Sequence, residues 1–308
     1  MQDLRGKVVF ITGGGSGIGL GIAIACVNKG MKIVLADVRK DHLDEAPIYF
    51  RQHGQEKSVH AIQLDVTDRA AYEDAATEAE RVFGKIHLLC NNAGVGILGP
   101  FKQCTYADWD WGLSVLLGGV INGIITWLPR IVKHGEGGHI VNTASMAGVI
   151  AVPNCGIYNT AKAAVIALSE TLRSELAPDN IGVSAFCPGP VLTNIGETTK
   201  LRPEKYMKET GLLAFEEQRR QRLEASQRSG PPPWMSIEEC GERVLRGIQR
   251  NDLYIFTHRE FKEGVAERME AMLASFPDEA INETRAKDIP YLTSNPIFKE
   301  AIRAAAAK

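Results

Sequence analysis

Short apolar runs rich in β-branched residues alternate with longer stretches of helical period along most of the 308-residue chain. Residues 7–12, "KVVFIT", predict a first strand; residues 32–37, 59–65, 86–94, 138–145 and 181–189 predict five more. Helical patterns fill the intervals at 18–30, 40–53, 69–83, 108–133 and 157–177. A further helix is expected from an N-cap at Ser236, and residues 252–257 complete the series as a last strand. The strands are nearly continuous apolar runs, the pattern of a sheet covered on both faces. Repeated βα units of this kind build an α/β fold with a doubly wound parallel sheet.

The pattern breaks after Thr193. Residues 194–235 are irregular and charged, include "AFEEQRRQRLEASQR" (214–228), and end in "GPPPW". A segment this long, leaving the ligand edge of a sheet, is a candidate lid, or else a solvated insertion. Residues 1–258, lid included, are therefore read as one domain, with 259–308 as a helical C-terminal extension. Residues 112–129 hold no charge and approach the length of a membrane span, but contain four glycines, Asn122 and a terminal proline. A helix buried in a large protein or at a subunit interface accounts for them better.

Composition narrows the class. The net charge is −2, without the concentrated basic patches of a nucleic-acid binder. The six cysteines are scattered without a C-x-x-C pair, which favours free thiols over disulfides or a metal centre. No charged-then-apolar leader precedes Lys7, so a cytoplasmic enzyme is expected.

Ligands of such sheets bind beyond the carboxyl ends of the strands. That edge collects Gly13–Gly19, Asp37, Asp65, Asn92, Ser145 and Pro188. In "TGGGSGIG" (12–19), Gly13, Ser16, Gly17, Ile18 and Gly19 form the turn from strand to helix. Glycines there permit close approach of backbone to a pyrophosphate, and the helix N-terminus offers free N–H groups. Asp37, about twenty residues on, can accept hydrogen bonds from ribose hydroxyls and would repel a 2′-phosphate. NAD is thus expected over NADP, although the Arg39 guanidinium could offset part of the repulsion. Asp65 and Val66 are candidates for the adenine pocket, or for a turn and helix cap.

Taken in order, "TGGGSGIG", "NNAG" (91–94), Ser145, "YNTAK" (158–162) and "PGPVLT" (188–193) resemble the short-chain dehydrogenase/reductase family. The resemblance covers about residues 5 to 257 and implies a Rossmann-like fold binding NAD(P). It implies Tyr158 as general base in alcohol oxidation and general acid in ketone reduction. It also implies that Lys162 binds the nicotinamide ribose, and that Ser145 holds the substrate oxygen. Asn92, Ala93, Gly94, Pro188, Gly189, Val191 and Thr193 are implied against the cofactor. A phenol titrates near 10, so base catalysis near neutrality needs a drop of about 3 units. An ammonium at ~4 Å in an effective dielectric of ~20 supplies about that much, and Lys162 lies one helical turn from Tyr158.

One position departs from the family. Leu116 stands where a "VNLxG" pattern carries an asparagine that supports a water chain from the lysine. Either the backbone carbonyl at 116 still holds the water, or proton release is impaired and the chain is a cofactor-binding scaffold with little turnover. The intact Ser145, Tyr158 and Lys162 favour an active enzyme. The pocket is expected to be mostly apolar, from Ile97, Leu98, Met146, Ala147, Val152, Pro153, Pro190, Ile195 and Leu212, with Asn154 and Cys155 adding polarity. Met146 and Asn154 are thus candidate substrate contacts. Such a lining suits a bulky apolar or aromatic secondary alcohol or ketone. The long lid and extension resemble family members acting on aryl ketones and lignin-type alcohols, with steroid-like alcohols also open. An NADPH-dependent carbonyl reductase is the alternative. Family members commonly form homodimers or homotetramers through the helices containing Leu116 and Tyr158, so a homo-oligomer is expected.

Overall fold

The computed structural model describes residues 1–306 except 208, 209, 213, 214, 216, 219, 220 and 222–232. The charged run 214–228 of the candidate lid lies largely outside the described residues. A seven-stranded sheet, parallel throughout, has the order β3-β2-β1-β4-β5-β6-β7. Its strands are β1 (Val8–Thr12), β2 (Lys32–Asp37), β3 (Val59–Gln63), β4 (Leu88–Asn91), β5 (Gly138–Thr143), β6 (Ile181–Cys187) and β7 (Tyr254–Phe256). Every residue of β1, β4 and β5 is buried, which explains their unbroken apolar runs. The strand order reverses at β1 and β4, the switch point where this architecture opens a ligand crevice.

Helices α1 (Gly17–Val27) and α2 (Lys40–Gln52) share one apolar layer with the later α6 (Ile237–Arg250). Helix α6 starts at Ser236, whose hydroxyl accepts from the Glu239 amide at 3.1 Å. Close packing of α1 on α6 depends on two glycines. A Cβ on Gly21 would lie 2.0 Å from the Ile237 carbonyl oxygen, and one on Gly241 2.1 Å from that of Gly21.

The opposite face is covered by α3 (Arg69–Phe83), α4 (Tyr106–His134) and α5 (Gly156–Glu175). Helix α4 is long and apolar enough to cross a membrane by length and composition. Here it lies on the sheet, with Trp127, Ile124 and Val120 buried in the core and Ile121, Ile125 and Val132 exposed. Its glycines permit that contact: a Cβ on Gly123 would sit 2.1 Å from Asn91 Oδ1, and one on Gly119 2.6 Å from Val66. The middle of α4, Ser114–Gly118, is a π-helical turn, a feature often found at functional sites.

The C-terminal residues form α7 (Lys262–Leu273) and shorter helices ending in Pro296–Ala306. That last helix docks on α5 through buried Ile297 and through Glu300, which accepts from Arg173 at 3.0 Å.

Candidate active site

A cleft of about 640 Å³ runs along the carboxyl edge of the sheet, from Asp37 at one end to Tyr158 and Lys162 at the other. Fourteen of the candidate catalytic and cofactor-binding residues line it: Gly13, Ser16, Gly17, Ile18, Asp37, Asp65, Val66, Asn92, Ala93, Gly94, Tyr158, Lys162, Pro188 and Thr193.

The glycine turn is shaped by close approach. Gly13 has φ +62°, and a Cβ there would meet Ala93 Cα at 2.9 Å. Gly19 lies beneath the turn, where a Cβ would be 2.0 Å from the Gly13 carbonyl oxygen. Ser16 begins α1 without a side-chain capping bond, and no acidic residue stands in the first turn. The amides of that turn therefore suit an anionic group, and the cradle fits a dinucleotide pyrophosphate.

Thr12 ties this turn to β4. Its hydroxyl oxygen accepts from the Asn92 and Ala93 amides at 2.9 and 3.1 Å, and the Asn92 side chain donates to the Thr12 carbonyl at 3.1 Å. Ser16 donates to Asn194 Oδ1 at 3.2 Å, and Asn194 Nδ2 lies 3.0 Å from His42 Nε2, so the turn is also pinned to the segment that follows Thr193.

Asp37 is buried and accepts from the Gly15 amide at 3.1 Å and the Arg39 amide at 3.0 Å. The Arg39 guanidinium is engaged by Asp41, at 3.0 Å from Nε, and by Glu197 at 3.6 Å. Asp65 uses its carboxylate locally, accepting from the Thr67 amide and hydroxyl at 2.9 and 2.8 Å, so both its turn and its cleft-lining positions are realised. Asn122 donates to the Val66 carbonyl at 2.9 Å and so anchors α4 beside this end of the cleft.

At the other end, Lys162 is buried and donates to the Thr143 carbonyl oxygen at 2.6 Å. Burial pulls its ammonium down to about 8. The ammonium lies over the Tyr158 ring, 5.6 Å from its centroid. The depressed phenol expected from the spacing is not what this protein holds. Burial pushes Tyr158 above its usual value, and a hydrogen bond from the Ser145 side chain opposes that only in part. Four-residue spacing brings the cation near the ring, but Tyr158 is also partly buried in the cleft wall, which disfavours the charged phenolate.

Ser145 caps the one-turn helix Met146–Val149, its hydroxyl oxygen accepting from the Ala147 amide at 3.1 Å. That turn presses on α5 so closely that a Cβ on Gly148 would lie 2.6 Å from the Lys162 carbonyl carbon. Ser145, Tyr158 and Lys162 are thereby held against one another by backbone packing.

Ser145 is itself buried behind the lining residues of the cleft, and five further candidates take other places. Gly189 is packed under Phe261 and His258, its amide donating to Thr257 at 2.9 Å. Val191 is buried in the core and bridges to Met235. Gly19, as above, supports the turn from below. Met146 lies outside the cleft wall, and its amide donates to the Pro188 carbonyl at 3.0 Å. Asn154 has an exposed side chain and φ of +60°; its carbonyl accepts from Gly99 at 2.8 Å, making it a left-handed turn residue.

The outer wall also differs from expectation. Ile195 lines the cleft, whereas Ile97 and Leu212 are buried with Trp111, Leu116 and Ile157 in a third apolar cluster. Val95, Trp111, Ser114, Val115, Leu201, Pro203, Lys205 and Tyr206 form the wall instead. Leu116 is fully buried, its Cδ2 lying 3.4 Å from where a Cβ on Gly94 would be.

The family model described as short chain dehydrogenase matches residues 7–204. The C alpha-dehydrogenase of Sphingobium sp. (strain NBRC 103272 / SYK-6) is 40% identical over 276 residues, covering 89% of this chain and 88% of its own length. Among solved structures, a short chain dehydrogenase/reductase from Burkholderia phymatum in complex with NAD superimposes with a TM-score of 0.80 at 35% identity, covering 92% of this chain and 100% of its own. The apo form of LigO from Sphingobium sp. strain SYK-6 does so with a TM-score of 0.72 at 38% identity, covering 100% and 98%. With the parallel sheet, the glycine turn and the Ser145–Tyr158–Lys162 cluster in place, the chain belongs to the short-chain dehydrogenase family and is an oxidoreductase.

Proposed function

We propose that the protein is an NAD-dependent dehydrogenase acting on bulky aromatic or apolar secondary alcohols and the corresponding ketones. The observation that carries this reading is a single cleft with Asp37 at one end and Tyr158 with Lys162 at the other. Asp37 is suited to the ribose hydroxyls, and Arg39 is drawn toward Asp41 and Glu197, which weakens any claim on a 2′-phosphate. The NAD complex of the Burkholderia relative agrees with that preference. The mostly apolar wall formed by Val95, Trp111, Val115, Leu201 and Tyr206 favours a bulky apolar or aryl substrate. The name of the Sphingobium relative, a C alpha-dehydrogenase, is compatible with oxidation at a secondary carbon.

NAD, when bound, supplies the hydride acceptor. Ser145 orients the substrate oxygen by hydrogen bonding, and the Tyr158 phenol oxygen exchanges the substrate's hydroxyl proton. Lys162 would hold the nicotinamide ribose and, as a neighbouring cation, would favour the phenolate when the base is needed. Because burial keeps the phenol protonated, Tyr158 is poised as the acid for ketone reduction. Alcohol oxidation requires its deprotonation and is therefore expected to accelerate as pH rises.

The test is cofactor reduction with NAD or NADP and a panel of aromatic, steroid and aliphatic secondary alcohols. The reading predicts turnover with NAD, fastest on aryl alcohols. Preference for NADP, or activity restricted to small aliphatic alcohols, would contradict it.

A further inference from the structure

Only one side chain among residues 201–207 is buried, and it is an arginine. Arg202 Nη1 donates to Asp108 Oδ1 at 2.6 Å, with 1% and 0% of the two side chains exposed. The Thr210 hydroxyl donates to the same oxygen. The other carboxylate oxygen accepts from the Thr105 amide at 2.8 Å and the Thr105 hydroxyl at 3.0 Å, which closes the capping box at the start of α4. Asp108 thus fixes the first turn of α4 and holds two points of the lid, Arg202 and Thr210.

The guanidinium also stacks on Trp111, 4.6 Å from the ring centroid, and Trp111 lines the cleft. Immediately on either side of Arg202, Leu201 and Pro203 line the cleft, and so does Tyr206, whose carbonyl accepts from Arg202 at 3.3 Å. The arginine points inward while its neighbours face the cleft. Both walls, the α4 aromatic and the lid, are therefore referenced to one buried ion pair.

We infer that the Arg202–Asp108 pair is a latch that seats the lid, making Arg202 a positioning residue that sets how large a substrate the cleft accepts. A buried ion pair contributes less to stability than to geometry, because desolvation offsets much of its attraction. A guanidinium held through Nη1 by a carboxylate and a backbone carbonyl, and stacked on an indole, is fixed in orientation, which suits a wall that must be placed rather than merely covered. The inference rests on the proposed dehydrogenase reading for its kinetic test, but its structural test does not.

The experiment compares the wild type with Arg202→Met and Arg202→Lys in the full chain. Amide hydrogen exchange across 201–207 is read first, with α5 as the internal control for folding. The latch predicts faster exchange across 201–207 in Arg202→Met, by about tenfold or more, partial recovery in Arg202→Lys, and unchanged protection in α5. KM and kcat are then measured for 1,2-diphenylethanol and 1-phenylethanol with NAD. For the larger alcohol Arg202→Met should raise KM about tenfold, with kcat within about threefold; for the smaller it should change KM by less than about threefold. Unchanged exchange across 201–207, or an equal loss of kcat on both alcohols, would overturn the inference. If the wild type oxidises neither alcohol, the dehydrogenase reading fails on these substrates and the exchange result alone decides the latch.

Discussion

Lys162 is a cation placed where a cation is costly. Burial brings it down to about 8 from the ordinary lysine range, with the Thr143 carbonyl as its hydrogen-bond partner. Between about 8 and the value of an exposed lysine, the unfolded chain binds more protons than the folded one. Stability attributable to this residue should accordingly increase as pH rises through that window. Replacing Lys162 by Met removes the penalty, so Lys162→Met is expected to be more stable than the wild type at pH 7. The two unfolding curves, measured by urea titration at several pH values, should converge toward alkaline pH.

Leu116 presents the opposite case, an apolar side chain where the family has a polar one. It is sealed among Ile157, Ala161 and Trp111, so an asparagine there would be buried among apolar groups. Leu116→Asn is expected to lose about 1–3 kcal/mol of stability while turnover stays within about threefold. A large gain in turnover would show instead that the leucine blocks proton release.

At the scale of elements, α4 organises the site. Its π-helical turn presents Ser114 and Val115 to the cleft and sends Leu116 into the apolar cluster. Its glycine face sets the distance to the sheet. Gly123→Ala would drive a methyl group onto Asn91 Oδ1, and should destabilise the fold by about 1–3 kcal/mol in denaturant titration.

The strands and the glycine turn were legible in the sequence because parallel strands buried on both faces leave unbroken apolar runs. Close backbone approach likewise leaves glycines such as Gly13 and Gly19. Other features had no local signature. Asp108 and Arg202 are 94 residues apart, one at the start of a predicted helix and the other in an irregular charged segment. The bridge from Ser16 through Asn194 to His42 joins three separate segments in the same way. Spacing also could not reveal the protonation state of Tyr158, because helical geometry supplies the neighbouring lysine but only packing supplies the burial.

For the whole molecule, the outward face of α4 leaves Ile125 68% exposed beside Ile121 and Val132. An apolar strip on a helix otherwise committed to the core suits contact with a second copy of the chain, in keeping with the expected homo-oligomer. Light scattering should give a mass above that of the 33.6 kDa chain, and Ile125→Glu should lower it. A monomeric mass for the wild type at micromolar concentration would reject the interface.

The central claim is that the Tyr158 phenol exchanges the substrate's proton in an otherwise intact NAD site. Its most direct test is Tyr158→Phe, which removes one oxygen and leaves the ring packing in place. NADH binding, followed by its fluorescence, should match the wild type within about twofold, while alcohol oxidation falls by about a thousandfold or more. Retention of wild-type turnover in the phenylalanine variant would contradict the account.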